Sequence, residues 1–225
     1  MKSIITLLLL FGSAMLFAQQ EDFLAPDYAL IEKNINDKDS EYYYPLLMEK
    51  LEKNDTVFTD EQYRHLYYGY VFHENYNPYG RFSKQNEING FFNLETLSKE
   101  DFQRAFSLID EALKENPFDL DTRNILFLLK NSNGETEEAS KILTNLLGLL
   151  RTIIESGDGM KCETAFHVTS PRDEYAVMGV LGIQSLGQAL MGSCDLQRID
   201  EDEHGISRLF FDISKPFAKL RSSFD

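Results

Sequence analysis

The stretch "SKEDFQRAFSLIDEALKENP", Ser98 to Pro117, decides how most of the chain folds. Phe102, Ala105, Phe106, Ile109, Ala112 and Leu113 recur at spacings of three and four, which places them on one face of a helix. Ser98 with Asp101 makes a capping box in which Asp replaces the usual Glu or Gln, and Pro117 ends the helix. Downstream the pattern continues. A second helix is predicted from Leu120 to Lys130. After the turn "NSNG" at 131–134, a third carries Ala139, Ile142, Leu143, Leu146, Leu150 and Ile153 on one face and stops at Ser156-Gly157-Asp158-Gly159.

Ala105 and Ala139 lie 34 residues apart, and so do Ile109 and Leu143. That period belongs to tetratricopeptide repeats, in which a small residue lets paired helices approach closely and a proline separates one hairpin from the next. Ala105, Ala112 and Pro117 fit one unit, and Leu126, Gly134 and Ala139 fit the following one. Arg123 stands where that pattern has a large aromatic, and Phe127 where it has glycine. The expectation is one and a half degenerate, tetratricopeptide-like repeats, with an ordinary helical bundle as the alternative.

Upstream, Thr59 to Gln62 reads as a helix start, followed by "QYRHLYYGYVFHENYNPYG", Gln62 to Gly80. Tyr63, Leu66, Tyr67, Tyr70 and Val71 define one face, with Tyr68 and Phe72 on its flank, so the helix must be covered on more than one side. Tyr63, Tyr67 and Tyr70 are expected to pack with their hydroxyls paired at the edge of the core. Tyr76 and Tyr79 lie beyond the helix and open a connection, Asn75 to Leu97, that includes Arg81 and Lys84. Connections this long are often functional or disordered, and Phe82, Phe91 and Phe92 argue against disorder. Tyr76, Tyr79 and Arg81 are therefore the binding-site candidates, against a structural wrap over the helices.

After Gly159 the composition changes. "ETAFHVT", Glu163 to Thr169, alternates like a strand, and Ser170-Pro171-Arg172-Asp173 supplies the N-cap, first-turn proline and capping acid of a helix through Gly182. "LGQALMGSCDLQRI" and "ISRLFFDI" flank the turn "DEDEHG" and suggest a hairpin, and "MGVLGIQSLGQALMG" reads as a buried helix passing into a strand. The predicted class is α+β: a helical region over residues 19–157 with a small βαββ layer over 158–225 packed on it.

The N-terminus, one lysine followed by "IITLLLLFGSAMLFA", reads as a secretory signal peptide over residues 1–18, cleaved near Ala18-Gln19. The apolar run falls short of the roughly 20 residues of a membrane span, so no span is expected after cleavage. Export predicts a periplasmic or secreted protein. Loss of Lys2 with that segment takes the net charge from −15 to −16, a surface that repels nucleic acid and anionic headgroups. Cys162 and Cys194 lie in a compartment where disulfides persist. A bridge would close a loop of about thirty residues, on the order of 3–4 kcal/mol in the chain-entropy model. Two buried thiols, or one exposed thiol, are the alternatives.

Little in the sequence points to catalysis. A thiol dyad of Cys162 with His167 is disfavoured because residues five apart on a strand face opposite ways. Glu163 and His167 would lie roughly 13 Å apart on such a strand, too far for one metal ion, and His65, His73, His167 and His204 lack metalloprotease spacing. "DEDEHG" begins like a calcium loop, but Phe211 stands where the bidentate Glu belongs. No metal site and no cofactor are predicted. Acids brought together from distant segments, Asp158, Asp173 and Glu174 among them, keep an envelope hydrolase as the alternative, although the lack of tryptophan disfavours a sugar-stacking cleft.

"YYGYVF" at 67–72, "ALKENPFDLDT" at 112–122, "DEY" at 173–175, "CD" at 194–195 and "FFDI" at 210–213 together resemble the exported bacterial family called domain of unknown function 4919. Phe210 stands where that family has Tyr before its Phe-Asp. The resemblance implies localisation and architecture and transfers no catalytic role. The favoured expectation is a non-enzymatic module of the cell envelope that binds a protein or peptide partner.

Overall fold

The computed structural model describes residues 23–91, 97–202 and 204–224. Residues 1–22, with the stretch read above as a signal peptide, and residues 92–96, Glu203 and Asp225 lie outside them. The protein is α+β. Helices α1 (Tyr28–Asn36), α2 (Tyr44–Glu52) and α3 (Asp60–Gly69) are followed by the short α4 (Gln85–Gly90), then α5 (Lys99–Glu115), α6 (Leu120–Ser132) and α7 (Thr136–Ile154). The remainder forms β1 (Phe166–His167), α8 (Pro171–Val180), β2 (Gly187–Met191), β3 (Cys194–Arg198), β4 (Arg208–Asp212) and α9 (Ser214–Ser222).

Local chemistry sets the helix ends. Thr59 and Gln62 form a reciprocal capping box at α3, as do Ser98 and Asp101 at α5 and Ser170 and Asp173 at α8. α8 stops in a Schellman motif, with Gly182 at φ +70° and the Ile183 N–H donating to the Met178 carbonyl at 2.8 Å.

α3 is the hub. Every residue from Tyr63 to Tyr70 is buried, and the helix packs against α1, α2 and α7. Its approach to α7 requires Gly148, where a Cβ would sit 2.4 Å from the Tyr63 ring. The principal core joins Ile31, Leu47, Tyr67 and Leu149 to Phe166, Val177 and Phe211, so helical part and sheet share one interior. A smaller cluster of Phe82, Ile88, Ala105, Leu108, Ala112 and Leu129 holds α4, α5 and α6 together.

The sheet has the order β1-β4-β3-β2, with β1 parallel to β4 and the other pairs antiparallel. The C-terminal layer departs from expectation in three respects. "LGQALMGSCDLQRI" is not one strand: it turns at Gly192-Ser193, where Gly192 takes φ +67° and Met191 faces Cys194, so the layer is βαβββ and α9 follows it. The strand expected over 163–169 contracts to Phe166–His167, because Cys162–Thr164 forms a 3₁₀ turn. Beyond Met178 the glycine-rich run is not buried: β2 is an edge strand, and Leu186, Leu190 and Met191 are exposed. "DEDEHG" does connect β3 to β4, with Asp202 Oδ1 accepting from the His204 and Ile206 N–H groups. Cys162 and Cys194 are disulfide-bonded, their Cα atoms 5.8 Å apart, which ties the turn before β1 to the start of β3. Among the described residues no helix is long and apolar enough to cross a membrane.

Candidate functional site

Three places hold the chemistry. The first is the tyrosine segment with its loop. The Tyr63 hydroxyl donates to Asn145 Oδ1 at 2.8 Å, and that of Tyr70 reaches the Asn75 carbonyl at 3.4 Å. The Tyr67 hydroxyl donates to Asp173 Oδ2 at 2.6 Å and accepts from the Thr169 N–H at 3.0 Å. Tyr76, a binding candidate from the sequence, is only 4% exposed and donates to the Thr169 carbonyl at 2.8 Å. Its ring meets Tyr70 edge-on, so it belongs to the packing of the core. Tyr79 is 44% exposed and Arg81 is exposed, but they border separate hollows of about 410 and 420 Å³. Tyr76 and Tyr79 line the same hollow, and Arg81 borders the neighbouring one, which shares Asn75 and Asn77 with it. The loop is pinned from both sides, since Ser170 Oγ donates to the Pro78 carbonyl and Phe82 enters the smaller cluster.

The second place is the pair of acids at the start of α8. Asp173 Oδ2 accepts from the Tyr67 hydroxyl, the Ser170 N–H at 3.1 Å and Thr169 Oγ1 at 3.4 Å. Burial pushes its pKa up to about 7 against the opposing effect of the Tyr67 bond. Glu174 is fully buried. Its Oε2 accepts from Gln197 Nε2 at 2.6 Å, Gln197 Oε1 accepts from Ser185 Oγ at 2.7 Å, and its Oε1 has no partner among the described residues. Burial raises it to about 8, with the Asp195 charge adding to the rise, so it is mostly a neutral acid at pH 7. The space at Asp173 is a crevice of about 10 Å³, room for about one water at most. Asp158 stands apart, accepting from the Met160 N–H and the Thr164 hydroxyl, and shares no hydrogen bond with either acid. Among the described residues no group of three His, Cys, Asp or Glu side chains is placed to hold a metal ion.

The third place is a groove of about 520 Å³ between α2, α5 and α6. Small-ligand pockets span roughly 300–1,000 Å³. Met48, Leu113 and Leu126 give it apolar walls, Glu52, Asn54 and Asp110 a polar rim, and Arg123 is 6% exposed where it lines the groove. Sequence reasoning marked Arg123 only as a misfit in the repeat pattern. That misfit was the available signal: a cation on a helix position where a core aromatic would fit.

A family model with the description "Domain of unknown function (DUF4919)" matches residues 29–221. The chain belongs to that family. The match spans all three places, and the DUF4919 description assigns chemistry to none of them. No curated protein matches this DUF4919 chain. No solved structure matches it either.

Proposed function

We propose that this DUF4919 protein is an exported, non-enzymatic binding module of the cell envelope that takes a peptide segment of a partner into the groove between α2, α5 and α6. The observation that carries the reading is the groove itself, about 520 Å³ of concave space with apolar walls and a rim able to pair with backbone groups. The signal-like N-terminus and the Cys162–Cys194 bridge support an oxidising destination outside the cytoplasm, with the mature chain starting near Gln19. The tetratricopeptide-like 34-residue spacing of buried Ala105 and Ala139 supports a hairpin framework suited to presenting such a groove.

The hydrolase alternative has raised carboxylates in its favour, at Asp173 and Glu174. General acid catalysis also needs a substrate within hydrogen-bond reach, and the crevice at Asp173 is too small to admit one.

Affinity capture from cross-linked envelope extract tests the binding reading with wild type, Leu126→Trp, which fills the groove, and Tyr79→Ala, which alters the loop. Partners held by wild type and Tyr79→Ala but lost from folded Leu126→Trp are the expected result. Identical partners in all three would overturn the groove, and loss only in Tyr79→Ala would move the site to the loop. The intact mass of the exported protein tests cleavage at Ala18-Gln19.

A further inference from the structure

The cations lining the groove are not equivalent. Lys114 Nζ lies 2.6 Å from Asp110 Oδ2, and Lys130 Nζ is held by Glu135 and, at 2.8 Å, by Glu138. Arg123 has no such carboxylate. It sits in the first turn of α6, where its Nε donates to the Pro117 carbonyl at 2.6 Å, and its two terminal amino groups have no hydrogen-bond or ion-pair partner among the described residues. Asp119, whose charge is felt at Arg123, is already engaged: Oδ1 caps α6 through the Thr122 N–H at 3.0 Å and Oδ2 faces Arg172 at 3.4 Å.

A buried arginine is ordinarily paired, because removing its charge from water is expensive. Burial brings Arg123 down to about 10, which leaves it charged at neutral pH. The side-chain atoms that are both sealed from solvent and unpartnered, such as the Tyr44 hydroxyl and Glu174 Oε1, include neither amino nitrogen of Arg123. Arg123 keeps 6% exposure and is one of the residues that line the groove.

We propose that Arg123 anchors the C-terminal carboxylate of an extended peptide lying between α2, α5 and α6. Two amino groups in one plane match two carboxylate oxygens, the fork geometry that distinguishes arginine from lysine. Met48, Leu113 and Leu126 receive the final side chains. Glu52 and Asn54 offer acceptors to peptide N–H groups, which a fatty-acid chain could not use. A net charge of −15 repels polyanions at range and so favours a ligand with one carboxylate on an apolar body.

This inference rests on the groove-binding reading, and the test separates the two. The full chain is immobilised and exposed to a randomised N-acetylated hexapeptide pool prepared twice, once with a free C-terminal carboxylate and once as the amide. Wild type is expected to retain the acid pool about tenfold more than the amide pool, the scale of a charge-assisted hydrogen-bonded pair. Arg123→Gln is expected to abolish the preference, and Lys141→Gln, at a lysine of α7 outside the groove that pairs with Glu137, to leave it. Equal retention of both pools would leave the groove reading standing and overturn the role of Arg123. Retention of neither would overturn both, and a preference that survives in folded Arg123→Gln would overturn the anchor alone. The wild-type acid and amide comparison decides the matter even if Arg123→Gln does not fold.

Discussion

The tyrosine helix α3 and the groove beside α6 treat buried polar groups in opposite ways. Around α3, hydroxyls are spent inside the molecule: Tyr67 joins Asp173 and Thr169, Tyr63 joins Asn145, and Tyr68 lies 3.2 Å from the Thr152 carbonyl and 3.3 Å from that of His167. In the groove, Arg123 uses one nitrogen and leaves two without a partner among the described residues. A satisfied buried network specifies one packing. A buried cation left with spare donors is a cost to folding, which a protein tolerates where a ligand completes the pairing. The difference separates framework from site better than the density of aromatic residues does.

The largest expected effect is on the framework. Tyr67→Phe removes a bond to a carboxylate and strands the Thr169 N–H, and should cost about 3 kcal/mol in denaturant unfolding. A loss below about 0.5 kcal/mol, within the range of ordinary surface substitutions, would break the comparison.

Next is the dependence on pH. The folded pKa values of Asp173 and Glu174 lie above their unfolded values, so the native state binds more protons and stability falls as pH rises toward about 7 and about 8. Buried His65 and half-buried His167, both lowered by desolvation, act in the opposite sense below their unfolded value of about 6.5. From pH 6.5 to 8.5 the acids therefore dominate, and wild type should lose on the order of 2 kcal/mol. Glu174→Gln should flatten much of that slope, and an unchanged slope would show that the acid does not titrate in this window.

Gly148→Ala should cost about 1–2 kcal/mol by forcing the Tyr63 ring away from α7. A neutral result would mean that the α3–α7 contact relaxes freely. The smallest effect is predicted at Arg123: Arg123→Leu should change stability by less than about 1 kcal/mol, because the lost Pro117 bond is offset by relief of an unpaired charge. A penalty comparable to that of Tyr67→Phe would place Arg123 in the framework and sharpen the comparison against the proposed anchor.

Legibility in the sequence followed the range of the interactions involved. The starts of α3, α5 and α8 were readable because each capping box spans three residues of contiguous chain. The extra turn at Gly192-Ser193 was missed because the apolar run on either side hid the change of direction, and α9 was not anticipated. Tyr76 and Tyr79 looked alike as loop aromatics. Their fates diverged because the partner of Tyr76 is Thr169, far along the chain, while Tyr79 remains at the surface.

The sequence by itself determined the α+β class, the helix starts and the family, since amphipathic spacing, caps and motif order are local and additive along the chain. Only the tertiary structure decided that Tyr67 would meet Asp173 inside the core, that Glu174 would be buried against Gln197, and that Arg123 would line a groove with no carboxylate paired to it among the described residues. Those outcomes depend on which distant groups meet once water is excluded, and the energy of a buried charge or hydroxyl is set by those neighbours and not by its own identity.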